Sequence, residues 1–253
     1  MPDLAHLRYI VEDSIGKHMY ENAVFLADKL VTMSRGAPDD VYLLTQAFMF
    51  TRQHRRALHV LRQHRLATSS PRFTYLTAKC LAECQEWDEC LATLDDTVLE
   101  HAAQEAAAEA AAAGGGKARP PLGSLCSAML LLKGTVYEHL ENWPLAARHF
   151  KLALREEPLH YEALQRLLSN HMLTAGEQRE LLDELQERLR AEGHEWLRLY
   201  YGCKLDPEKG RQLAALHAAA GAAEEPAPFG GSRAAAEEPA AAEGEAELGA
   251  GGG

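Results

Sequence analysis

Long apolar runs are missing from this chain. Stretches such as Ala128–Leu132 fall far short of the ~20 residues a membrane-spanning helix needs, and no charged segment followed by an apolar one opens the sequence. Cysteine is sparse: five residues, an odd number without repeated spacing, do not make a disulfide framework and suit a reducing compartment, so the nucleus and cytoplasm are the expected location. Positive charge is in deficit. With 26 Lys and Arg against 37 Asp and Glu, the net charge of −11 speaks against a general binder of nucleic acid or membrane surfaces. A phosphate-binding glycine loop is absent too, since Gly114–Gly116 has neither the lysine-threonine ending nor a preceding strand.

Catalytic and metal-binding constellations are equally thin. The twelve histidines are scattered, and none stands with a serine or cysteine nucleophile in a recognisable motif. Cys80, Cys84 and Cys90 lie close in sequence but form no set of two close pairs, so buried free thiols are expected rather than a zinc site. No acid, base and nucleophile can be assembled; the chain reads as a non-enzyme with no cofactor and no metal.

What is present is a repeat. Ala23, Ala57, Cys90 and Ala146 stand 34, 33 and 56 residues apart. Around the last of them, Gly134, Tyr137, Ala146, Phe150, Ala153 and Pro158 fall at offsets 0, 3, 12, 16, 19 and 24. That is the signature of a tetratricopeptide (TPR) unit of about 34 residues. The expected fold is all-α: a TPR-type solenoid of helix hairpins wound as a right-handed superhelix, whose use is to hold other proteins. Three residues before each small residue stands Tyr20, His54, Trp87 or Trp143. Small residues let the two helices of a hairpin approach closely, with Gly134 expected opposite Ala146 and the large neighbour filling the remaining space.

The periodicity predicts three TPR-like helix pairs over residues 3–97, a TPR unit over 124–158, and a degenerate pair plus a short helix over 159–213. Between the third and fourth units lies an alanine- and glycine-rich insertion, 98–123, expected to start as a helical extension and end as linker. The fifth pair is degenerate because Glu180 occupies the place of the small residue, although Thr174-Ala175-Gly176-Glu177 is a capping box. Ser70-Pro71 reads as an N-cap followed by proline at the first helical position. Residues 214–253, almost all alanine, glycine, proline and glutamate, are expected to be disordered, and the chain to be a piece of a longer protein.

One charge anomaly stands out. Residues 41–82 hold Arg52, Arg55, Arg56, Arg62, Arg65, Arg72 and Lys79 and no acid. Arg52, Arg55, Arg56, Arg62 and Arg65 are the candidate basic face for docking onto an acidic surface, against the plainer reading of a solvated helix face. Nucleic acid fits less well, since no stacking aromatics interleave with these residues.

Three stretches carry a more specific resemblance: Tyr20-Glu21-Asn22-Ala23-Val24-Phe25-Leu26-Ala27-Asp28-Lys29-Leu30, Asp40-Val41-Tyr42-Leu43-Leu44-Thr45-Gln46, and Leu167-Leu168-Ser169-Asn170-His171-Met172-Leu173-Thr174-Ala175 with Glu180-Leu181-Leu182. They resemble the N-terminal half of the subunit-six family of the anaphase-promoting complex, over about residues 4–205. The resemblance implies a non-catalytic scaffold of that ubiquitin ligase, acting in cell-cycle protein ubiquitination, dimerising through its N-terminal repeats at roughly residues 3–95 and meeting other subunits of the complex. The alternative is a general TPR adaptor that binds peptides in its groove, as co-chaperones do.

Overall fold

The computed structural model describes residues 3–112 and 125–224, and among these every regular element is a helix. Contacts divide the chain into two units, Met1–Leu213 and Ala214–Gly253. The first holds the repeats. Of the second, only residues to Glu224 are described.

Three hairpins open the chain: α1 (Leu4–Gly16) with α2 (Tyr20–Met33), α3 (Pro38–Phe50) with α4 (His54–Gln63), and α5 (Pro71–Glu83) with α6 (Trp87–Thr93). Then come α7 (Asp96–Ala112), the hairpin of α8 (Leu125–His139) and α9 (Trp143–Glu156), α10 (Tyr161–Ser169), α11 (Ala175–Ala191), α12 (Glu195–Leu205) and α13 (Pro207–Glu224). Each hairpin also packs on the next through neighbouring helices, so one apolar core runs from Val11 to Leu205. Ala23, Ala57, Cys90 and Ala146 are all fully buried in it, as the ladder requires.

The hairpins share one closure. His18, Arg52, Gln85, Glu141 and His171 adopt left-handed backbone with φ between 51° and 62°. The amide after each donates back to a carbonyl five residues earlier: Met19 to Ser14, Gln53 to Phe48, Glu86 to Leu81, Asn142 to Tyr137 and Met172 to Leu167, at 2.8–3.0 Å. This bond satisfies a carbonyl that the helix end leaves free, and it turns the chain sharply enough for a short hairpin. A non-glycine residue pays strain of about 1–2 kcal/mol for the left-handed conformation.

The large residue at the start of the second helix makes a contact that spacing alone does not reveal. It reaches forward to the next repeat. Tyr20 stacks on Phe50 at 5.0 Å between ring centroids, and Trp87 stacks on His139 at 4.8 Å. Phe50 and His139 each lie two residues before a left-handed turn residue, so the two stacks are the same contact in different repeats. Between repeats two and three that contact is His54 with Glu83, Nε2 to Oε2 3.9 Å. At Gly134 the atoms nearest to an added side chain belong to Phe150, one turn beyond Ala146 on the facing helix.

The left-handed turns recur at intervals of 34, 33, 56 and 30 residues. The last interval is shorter than a repeat, which explains why Glu180 falls where a small residue was expected and lies exposed. Helix α10 packs on α9, while α11 packs on α12 and on α9, burying Leu181, Leu182, Leu185 and Leu189. The capping box at its start is complete: the Glu177 amide donates to Thr174 Oγ1 at 3.3 Å, and the Thr174 amide to Glu177 Oε2 at 2.9 Å. Ser70 is the cap residue of α5, but its hydroxyl makes no capping bond; the Phe73 amide donates to the Ser70 carbonyl instead, at 3.0 Å.

The segment read as an insertion begins as part of the core. Val98, Leu99 and Ala103 of α7 pack against it and Ala102 is buried within it, and Asp96 at the start of α7 accepts from the nearly buried Lys133 of α8 at 3.0 Å. The rest of the expected insertion, residues 113–123, lies outside the described residues. Helix α8 packs directly on α5 and α6, so the stack continues from the third repeat to the fourth. Helix α13 extends past Ala214, where disorder was expected, to Glu224; alanine is the strongest helix former, and its composition here favours helix over coil. Residues 225–253 lie outside the described residues.

Candidate protein-docking surfaces

The surface is built by what the repeats leave over. Helix α4 buries Ala57, Leu58 and Leu61 and turns Arg55, Arg56, His59 and Arg62 outward. The five arginines picked out by charge do not form one face. Arg52 sits in the left-handed turn before α4, and Arg65 in a second left-handed turn after it, at φ 57° and 56°. Arg62 is paired with Glu89 of α6. Arg72, at the start of α5, is paired with Asp39 at 2.7 Å and lies over the rings of Tyr42 and Phe73. The acids that neutralise these two come from outside the acid-free stretch, which is why sequence position alone made the whole stretch look unpaired.

What remains basic is more local. Arg52, Arg55 and Arg56 line an open depression between the α3–α4 and α5–α6 turns, together with Gln53, His54, Glu83, Cys84 and Gln85. Arg56 is fixed there, its guanidinium 4.4 Å from the Phe48 ring centroid and an Nη1 bonded to Gln53 Oε1. Arg52 and Arg55 are exposed, and no acid among the described residues lies within ion-pair reach of either. His54 Nδ1 is buried without a hydrogen-bond partner.

A second cleft opens between repeats four and five, lined by Trp143, Pro144, Ala147, Lys151, Asn170, His171, Met172 and Glu177. Trp143 holds the forward-reaching position of its repeat, but the residue in register with Phe50 and His139 is Ser169, and the indole is left 46 % exposed. Lys151 donates to Glu177 Oε1 at 3.0 Å. Together with the Thr174 amide, this holds the Glu177 carboxyl down at about 2.

On the first repeat, Tyr9 of α1 and Phe25 of α2 are large side chains left 64 % and 60 % exposed, with the Lys29 ammonium 5.5 Å from the Phe25 ring centroid. A contact not legible from residue spacing joins this repeat to the second: Arg8 forks onto the fully buried Asp40, Nε to Oδ1 2.5 Å and Nη2 to Oδ2 3.0 Å. Both residues belong to helical patterns, and only the fold shows that they face each other.

All five cysteines are free thiols, and burial pushes Cys80 and Cys90 up to about 12, which keeps them protonated. No group of three or more His, Cys, Asp or Glu among the described residues could hold a metal ion. Nor is any described helix long and apolar enough to cross a membrane.

Stacked helix hairpins with buried small residues at each crossing define a TPR-type helical solenoid. Residues 16–97 match the family of anaphase-promoting complex (cyclosome) subunit 3. Over 219 residues the chain is 35 % identical to anaphase-promoting complex subunit 6 of Arabidopsis thaliana, covering 83 % of this chain and 39 % of that protein. It is 33 % identical to the cell division cycle protein 16 homolog of Homo sapiens, covering 80 % and 34 %. The crystal structure of the APC/C hetero-tetramer Cut9-Hcn1 superposes with a TM-score of 0.70 at 26 % identity, over 87 % of this chain and 40 % of that one. The chain is therefore a homologue of the subunit-six TPR proteins of the anaphase-promoting complex through most of its length. It spans between a third and two fifths of the length of these relatives.

Proposed function

We propose that this chain is a non-catalytic scaffold piece of the anaphase-promoting complex ubiquitin ligase, supporting ubiquitination of cell-cycle proteins by holding subunits rather than by reacting. The observation that carries this reading is the 35 % identity to a subunit 6 over 83 % of the chain, laid on a fold whose repeats continue in register across the insertion. Partners under this reading are other subunits of the complex and a second copy of the chain, in the nucleus and cytoplasm, with no part for nucleic acid or membrane.

The dimer contact is assigned to the N-terminal repeats, roughly residues 3–95. Exposed Tyr9 and Phe25 on the first repeat support this: such side chains gain from being covered, and aromatic residues are enriched in the buried centres of interfaces. Light scattering at micromolar concentration checks it. The expected mass is that of a dimer, reduced to a monomer by Tyr9→Glu with Phe25→Glu. A monomeric parent chain counts against the contact. Co-purification of the tagged chain with the complex tests the scaffold role separately, and failure to recover other subunits would sink it.

A further inference from the structure

We propose that the depression between the α3–α4 and α5–α6 turns receives a short acidic peptide segment of a partner protein, gripped by Arg52 and Arg55 with Arg56 as a fixed third cation. The argument is charge complementarity at a defined place. In a chain of net charge −11, residues 41–82 carry seven cations and no acid, and the structure shows where that excess is spent. Arg62 is taken by Glu89 and Arg72 by Asp39. The cations left over around the depression are Arg52, Arg55 and Arg56, with Glu83 the one acid on its lining, and Glu83 faces His54.

The geometry suits carboxylates. Arg52 is carried on a turn whose backbone is fixed by three bonds, from the Thr51, Arg52 and Gln53 amides to Ala47, Met49 and Phe48 carbonyls. Arg55 stands three residues on, at the second position of α4, so the two arginines line the depression from neighbouring points of the backbone. A guanidinium fork accepts a carboxylate bidentately and is weakly hydrated, so it binds such groups at small desolvation cost. Arg56 is already immobilised on Phe48 and loses little further freedom when a ligand arrives. The lining offers Gln53 and Gln85 as further donors and no aromatic platform for bases, and the strongly acidic remainder of the chain repels an extended polyanion. A short acidic stretch matches the patch in size and sign.

The test titrates a fluorescein-labelled hexaglutamate peptide into the full 253-residue chain at low and at physiological salt, followed by anisotropy. Three proteins are compared: the parent, R52E with R55E, and R62E with R72E, each checked for helix content by circular dichroism. The two variants change net charge equally, so they separate a local site from the general field. R52Q with R55Q is the milder variant if reversal perturbs folding. The expected result is binding that weakens with salt and falls by roughly tenfold or more in the 52/55 variants, a difference of about 1.4 kcal/mol, while the 62/72 variant stays within about threefold of the parent. Equal losses in both charge-reversed proteins, no binding at low salt, or equally tight binding of an RNA oligonucleotide of the same charge would overturn the proposal. The outcome does not depend on the scaffold reading, whose own test is recovery of the complex.

Discussion

A Cβ atom at Gly134 would lie 2.6 Å from both Cδ1 and Cε1 of Phe150, on the facing helix of the same hairpin. The crossing of α8 and α9 is therefore set by a missing side chain on one helix and a ring that fills its place from the other. Both residues are buried, so neither the ring nor the backbone can retreat into solvent. Gly134→Leu is expected to lower stability by about 1–3 kcal/mol through overpacking, measured by urea denaturation. Phe150→Leu in the same background should recover part of the loss. Unchanged stability of Gly134→Leu would show that the ring does not set the crossing.

The forward-reaching stacks predict coupling between repeats. In a double-mutant cycle, Trp87→Leu and His139→Ala should show an interaction of about 0.5–1.5 kcal/mol, as aromatic pairs do. The corresponding cycle of Trp143→Leu with Ser169→Ala should give a value near zero, because no ring meets Trp143 there. Equal coupling in the two cycles would refute the assignment of these positions to one recurring contact.

The left-handed turns make an opposite pair of substitutions informative. Gln85 has φ 62°. Glycine relieves the strain while loosening the unfolded chain, so Gln85→Gly should be neutral or stabilising by up to about 1 kcal/mol. A β-branched residue is strongly disfavoured at that φ, and Gln85→Val should cost about 1–2 kcal/mol in thermal or chemical unfolding. The reverse order would mean that the turn is not fixed as described.

Acid sensitivity should come from the buried His149 and the half-buried His160. Burial holds His149 and His160 below the ordinary value of 6.5; His149 Nδ1–H donates to the Leu145 carbonyl at 2.8 Å, and His160 Nδ1 lies 2.8 Å from the Ser127 hydroxyl. A group whose folded pKa is depressed favours folding above its unfolded pKa, and that contribution disappears as pH falls through the folded value. Stability is expected to decline from pH 6.5 downward, and His149→Gln should flatten that decline. An identical pH profile for the variant and the parent, followed by thermal unfolding, would remove His149 from the account.

The capping box gives a local test. Thr174→Ala removes the hydroxyl that accepts from the Glu177 amide and should cost about 0.5–2 kcal/mol. Glu177 also carries a depressed pKa, so its contribution is complete above 4.5 and fades as pH falls toward 2. The difference between Thr174→Ala and the parent should therefore narrow at the acid end of that range.

Much of this was legible in the residues. The spacing of Ala23, Ala57, Cys90 and Ala146 located the hairpin crossings, because a close crossing tolerates few side chains and the constraint shows in single positions. Tyr20 and Trp87 were visible as recurring residues, yet their partners were not: a stack between repeats joins positions some thirty to fifty residues apart, and periodicity states that a residue recurs without saying what it touches. The turns were hidden for a different reason. Histidine, arginine, glutamine and glutamate hold them instead of glycine, so composition gave no sign of left-handed backbone. The basic stretch 41–82 is acid-free in sequence but not one face in space, since Glu89 and Asp39, at positions just outside it, pair with Arg62 and Arg72.

The packing of α8 on α5 and α6, with Lys133 held by Asp96, means that repeats three and four share a packed face in addition to the chain that links them. Supplied as two separate chains, one ending with repeat three and one beginning with α8, the pieces are expected to associate through that shared face, and their co-purification would check it.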